Sequence, residues 1–188
     1  WGYGNIGRLG HGDEVRQVLP KLVEALREVR VVSVVAGFSY SAAVSHTGAL
    51  NTWGAGSNGL LGHGEEKYHL TPKLVEALRE VKVVSTAAGE RHSAAVSHTG
   101  ALYTWGSDED GQLGHSDRGN QLTPKLVEAL REVNVVSVAV GGYAVAVSEL
   151  GQFYSWGFGD DACLGHGDLD QRSTPTLVQA LCAAPTTE

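Results

Sequence analysis

The residues best suited to chemistry in this 188-residue chain are its eight histidines, since imidazole ligates metals and moves protons near neutral pH. His11, His63, His115 and His166 each close a Leu-Gly-His triplet, and they recur at spacings of 52, 52 and 51 residues. Equivalent positions of a repeat are carried apart by the rotation between units, so these four cannot converge on one ion. Nor does any nearby Cys or His pair have zinc-site spacing. His46 and His98 sit in equivalent Ser-His-Thr-Gly turns and are separated in the same way. The repeated histidines therefore read as hydrogen-bonding structural residues, with no metal and no cofactor expected. Ser45-His46 and Ser97-His98 are chain neighbours without the third partner a nucleophile needs. The Gly-rich loops lack the Gly-Lys-Ser/Thr ending of a phosphate loop. Asp108, Glu109 and Asp110 form an acidic cluster whose default state is solvated charge. Cys163 stands where Gln112 stands one unit earlier, and with Cys182 makes a low cysteine count that suits a reducing compartment. The chain is read as non-enzymatic.

The elements that position these residues are repeated. Trp1, Trp53, Trp105 and Trp156 are each followed by glycine; Pro20, Pro72, Pro124 and Pro175 keep the same register, and KLVEALREV occurs three times unchanged. A period near 50 residues lies in the range of propeller blades. Within one unit, Val81–Ala88, Ser93–Ser97, Ala101–Trp105 and Leu122–Leu126 are short apolar runs bounded by Gly and polar turns, which predicts a four-stranded meander. Ala101, Tyr103 and Trp105 fall on one face of the third strand, Leu102 and Thr104 on the other. Apolar residues on both faces suit blades packed side by side. The fold class expected is all-β, a β-propeller of four-stranded blades.

One segment supports a second reading. Thr71–Leu78 offers an N-cap, a proline at the first helical position and good helix formers, so a short helix per repeat would give a mixed solenoid. A strand leading into a turn at Leu78-Arg79-Glu80 is preferred, because tertiary context overrides propensity.

The run ALYTWGSDEDGQLGH, preceded by VVSTAAGERHSAAVS and followed by LTPKLVEAL, resembles the regulator of chromosome condensation repeat family. The resemblance covers essentially the whole chain. It implies a propeller, usually of seven blades, with the sequence repeat offset from the structural blade. On that mapping residues 1–182 form a partial ring of about three and a half units: 1–26 an outer half blade, 29–78, 81–130 and 133–181 complete blades, and 183–188 a tail. Such a half ring exposes strand edges and apolar walls. A fragment of a longer chain is the expectation, with self-association through the open edges as an alternative, as is an idealised repeat protein without an evolved task. Members of the family include HECT-type ubiquitin ligases, kinases and ciliary proteins in which the propeller recruits partners. The founding member promotes nucleotide exchange on a small GTPase partly through a wedge-like insertion, for which the spacings here leave no room in any complete unit. A plant photoreceptor of the family senses light through tryptophans between the first two strands, where this chain carries Phe38, Glu90 and Gly142.

The net charge of −7 argues against nucleic acid as a direct partner, and no apolar run approaches a membrane span. In an up-and-down meander the loops joining strands one to two and three to four share a face. The stretches between each Trp and the following Pro carry 0, −1, −3 and −3, which equals the charge of the chain, so this face is expected to be acidic. It is also where the units differ: Phe38-Ser39-Tyr40, Glu90-Arg91-His92 and Gly142-Tyr143-Ala144 in one set of loops, Asp108-Glu109-Asp110 and Asp160-Asp161 in the other. Neutral drift in solvated loops is one reading of that variation. The other is a protein-binding surface presented by a rigid scaffold. On that reading Phe38, Tyr40, Glu90, Arg91, His92, Asp108, Glu109, Asp110, Tyr143, Asp160 and Asp161 contact a protein with a basic surface, in cytoplasm or nucleus. Exchange on a small GTPase is the alternative.

Overall fold

The computed structural model describes residues 1–182 and is all-β apart from single 3-10 turns. The first sheet holds β1 (Val31–Ala36), β2 (Tyr40–Ser45), β3 (Leu50–Gly54) and β4 (His69–Leu74). The second holds β5 (Val83–Ala88), β6 (His92–Ser97), β7 (Leu102–Gly106) and β8 (Gln121–Leu126). The third holds β9 (Val135–Val140), β10 (Tyr143–Ser148), β11 (Phe153–Gly157) and β12 (Arg172–Leu177). Each is an antiparallel meander in chain order. Consecutive sheets stack as blades: β2 packs on β5, β6 packs on β9, and β5 touches both β1 and β9.

Thr71–Leu78 forms no α-helix. β4 runs through Pro72 to Leu74, and a 3-10 turn at Glu76–Leu78 follows, slightly earlier than the expected turn. Val75 and Leu78 are fully buried, so packing into the inter-blade core decides against the local helix preference. The same strand-then-turn recurs at Glu128–Leu130 and Gln179–Leu181. The residues before Val31 hold 3-10 turns and an isolated bridge in which Gly2 and Gln17 exchange backbone hydrogen bonds at 2.7 and 3.0 Å.

The core lies between blades. Ala42, Val44, Leu50, Val75 and Leu78 of the first blade meet Val83, Ala95 and Trp105 of the second. Ala94, Val96, Leu102, Val127 and Leu130 meet Val135, Val138, Ala144, Ala146 and Trp156 of the third. Small alanines on the second strands let neighbouring sheets approach. On the first blade's outer wall Val34 is 72% exposed, beside a cavity of about 340 Å³ that Trp1 and Trp53 also line.

Candidate functional site

Strand register puts the two variable sets of loops on one rim. Tyr40 pairs with Gly54, and Gly54 pairs with His69, so the β1–β2 and β3–β4 connections leave the blade at the same end. The glycine after each tryptophan makes this possible. Gly106 has φ +110°, and a Cβ there would lie 2.6 Å from the Arg91 carbonyl of the adjacent loop. Only glycine takes that backbone at such close approach.

The same register corrects one alignment made from sequence. Tyr143 pairs with Gly157 as His92 pairs with Gly106 and Tyr40 with Gly54. The third β1–β2-type loop is therefore one residue shorter, and Tyr143, not Ala144, is the counterpart of His92.

The structure divides the eleven candidate residues. Phe38 is 73% exposed, and its carbonyl accepts from Arg8 Nη1 at 3.0 Å. Glu90, Arg91, Glu109, Asp160 and Asp161 are exposed, and Asp110 and Tyr143 half-buried. Tyr40, His92 and Asp108 are buried and present nothing to a partner. The Tyr40 hydroxyl lies 2.6 Å from Ser93 Oγ across the blade boundary, and burial pushes its pKa up. His92 is fully enclosed with neither ring nitrogen bonded, and burial lowers its pKa to about 4. Asp108 Oδ1 accepts the Leu113 N–H at 2.9 Å, closing the loop on itself, while burial holds its pKa above the ordinary value. Strand alternation turns the first two inward, and the loop's own amide claims the third.

The rim charge is also more local than the loop sums imply. Glu65 is paired with Lys73 at 3.0 Å, Asp117 with Lys125 at 3.2 Å and Asp168 with Arg172 at 2.8 Å, all through cations of the fourth strands. These pairs hold the carboxyls below their usual range, Glu65 at about 2. Of the candidate residues that reach the surface, Glu90, Asp110, Asp160 and Asp161 are in no ion pair among the described residues, and Glu109 is on Arg91 at 2.7 Å.

Where the second and third blades meet, Glu90, Arg91, Asp110, Gln112, Gly141, Gly142 and Phe158 line an open cleft of about 270 Å³. Of these seven the sequence places Glu90, Arg91 and Asp110 at the site and misses Gln112, Gly141, Gly142 and Phe158. Two signals for the cleft were in the chain: the single 51-residue spacing, which marks the shortened glycine loop, and Phe158 standing where Ser107 and Ala55 stand.

Three of the four repeated histidines and tryptophans make the expected structural bonds; His11 has neither ring nitrogen bonded, and Trp1 is 73% exposed. Thr104 donates to the Leu113 carbonyl at 2.6 Å, leaving its oxygen to accept from His115 Nε2 at 3.0 Å. Thr52 with His63 and Ser155 with His166 repeat the pattern. The Nε1 atoms of Trp53, Trp105 and Trp156 donate to the carbonyls of Arg8, Leu60 and Gln112 in the preceding unit, at 3.0, 3.0 and 2.9 Å. Gly114 makes room for this, since a Cβ there would stand 2.8 Å from Trp156 Nε1.

The model of the regulator of chromosome condensation (RCC1) repeat matches residues 1–44, 47–96, 99–147 and 151–184. The chain belongs to the RCC1 repeat family. Matched segments run across blade boundaries, so the family's sequence unit is offset from the structural one. Among curated proteins, the human E3 ubiquitin-protein ligase HERC2 is 39% identical over 188 residues, covering 96% of this chain and 4% of HERC2. The Arabidopsis thaliana ultraviolet-B receptor UVR8 is 36% identical over 182 residues, covering 96% of this chain and 41% of UVR8. The chain thus spans less than half the length of either. Among solved structures, Prp20p of Saccharomyces cerevisiae, described with its binding to Gsp1p and histones, superposes with a TM-score of 0.76 at 25% identity. The superposition covers 95% of this chain and 45% of Prp20p, so the fold is a partial RCC1-type propeller.

Proposed function

We propose that this chain is a non-catalytic protein-interaction module: residues 1–182 act as one partial RCC1-type propeller whose variable rim engages a protein with a basic surface. One observation carries the reading. The rim residues Phe38, Glu90, Arg91, Glu109, Asp160 and Asp161 are exposed and differ between units, while the second and third strands of the first two blades beneath them are largely buried and repeat. A rigid scaffold under varied loops is how such folds present binding surfaces. The likeness to HERC2 fits a module that recruits substrates to a ligase of HECT type in cytoplasm or nucleus. The Prp20p likeness supports a basic partner, because histones are named among what that protein binds. The test is titration of the chain with purified core histones as the basic probe. Binding is expected, and it should weaken at least about tenfold when Glu90, Glu109, Asp110, Asp160 and Asp161 become amides. Equal binding by that variant would refute the rim as the contact surface.

A second reading is nucleotide exchange on a small GTPase, favoured by the Gsp1p binding described for Prp20p. Acceleration of labelled-nucleotide release from a purified small GTPase by this chain would favour it over the first. Self-association through the first blade's outer wall, where Val32 and Val34 are exposed, is separated from both by the chain's mass in solution.

A further inference from the structure

We propose that the cleft between the second and third blades is a pocket for one arginine side chain of a basic partner peptide, together with that peptide's backbone. The inference rests on the rim reading and narrows it to one place. Three observations converge on an arginine. First, neither of the cleft's carboxylates is held in an ion pair. Among the described residues Glu90 has no ion pair, and Asp110 gives only one oxygen, which accepts from Gln171 Nε2 at 3.0 Å. The cleft's own cation, Arg91, is turned to Glu109 at 2.7 Å and so leaves those carboxylates free.

Second, Gln112 is 2% exposed and lines the cleft. Its Oε1 accepts the Asp110 N–H at 2.8 Å, which fixes the amide orientation and leaves Nε2 with no partner among the described residues. That donor lines an open cleft with no protein acceptor, and a peptide carbonyl supplies one. Third, Phe158 gives the cleft an aromatic wall, and Gly141 and Gly142 open its other side, since a Cβ at either would meet nothing within 4 Å. A planar guanidinium stacks on an aromatic ring and takes carboxylates in fork geometry, which an ammonium does not do. Two carboxylates, an aromatic wall and one amide donor match an arginine with its backbone carbonyl.

The experiment uses the full chain and two labelled peptides, Gly-Gly-Arg-Gly-Gly and the same peptide with citrulline, which keeps the shape and removes the charge. Amide shifts in ¹⁵N spectra should move at Glu90, Asp110, Gly141 and Gly142 with the arginine peptide, and binding should weaken about tenfold with citrulline. The double variant Glu90→Gln/Asp110→Asn should lose a similar factor, while Glu28→Gln/Glu80→Gln, in the exposed turns between blades at the other end, should not. Equal binding of the two peptides, or equal loss in both double variants, would overturn the pocket. If histone binding falls with the five-residue rim variant but survives Glu90→Gln/Asp110→Asn, the pocket fails while the rim reading stands.

Discussion

Trp105 Nε1 and Ser93 Oγ converge on one backbone oxygen, the carbonyl of Leu60 in the preceding unit, at 3.0 and 2.8 Å. Ser93 Oγ in turn accepts from the Tyr40 hydroxyl at 2.6 Å. Four groups from two blades thus form a buried polar chain inside an otherwise apolar boundary, and the blades are held in register as well as in contact.

Replacing Trp105 by Phe removes one donor but leaves the Leu60 carbonyl bonded to Ser93. The expected loss is about 1–2 kcal/mol, whereas Trp105→Ala, which also leaves a cavity, should lose about 3–5 kcal/mol. Urea denaturation of the two variants measures the difference.

Gly106 and Gly2 share nearly the same backbone, φ +110° and +112°, but only Gly106 has a neighbour where a Cβ would stand. Gly2→Ala should incur conformational strain alone, about 1–3 kcal/mol at most. Gly106→Ala adds the clash with Arg91 and should lower the melting temperature clearly more than Gly2→Ala.

His92 gives the fold an acid sensitivity. Its pKa is depressed by burial from 6.5 to about 4, so the unfolded chain binds the proton first. Stability is therefore unaffected above pH 6.5 and falls as pH drops from 6.5 towards 4. His63, also lowered to about 4 mainly by burial, adds to the same window. Denaturation at stepped pH should show a shallower decline for His92→Phe than for the parent chain.

The Arg91–Glu109 pair is exposed on both sides and should contribute little to stability. Glu109→Gln is expected to leave the denaturation midpoint within error. It should also release Arg91 towards Glu90 and Asp110, and so weaken binding of a basic peptide at the cleft, read by titration.

The blade order was legible in the chain because Trp, Gly and Pro recur in fixed register and each has one physical job at its position. The rim was legible for the same reason, as the place where the register stops dictating residue type. What sequence could not supply was depth. Tyr40, His92 and Asp108 lie within two residues of exposed Phe38, Arg91 and Glu109 in the chain, and only strand alternation and the Leu113 N–H turn them inward. The cleft escaped notice because it belongs to two units at once: Gln112 from one and Phe158 from the next are distant in sequence.

The most direct test of the account places charge removal on opposite ends of the blades. An arginine- and lysine-rich model peptide is titrated against the chain, against the rim variant with Glu90, Glu109, Asp110, Asp160 and Asp161 as amides, and against a control with Glu28, Glu80 and Glu132 as glutamines in the exposed turns between blades. Affinity should fall about tenfold or more in the rim variant and be retained in the control. Equal affinity in all three, or an equal fall in both variants, would contradict it.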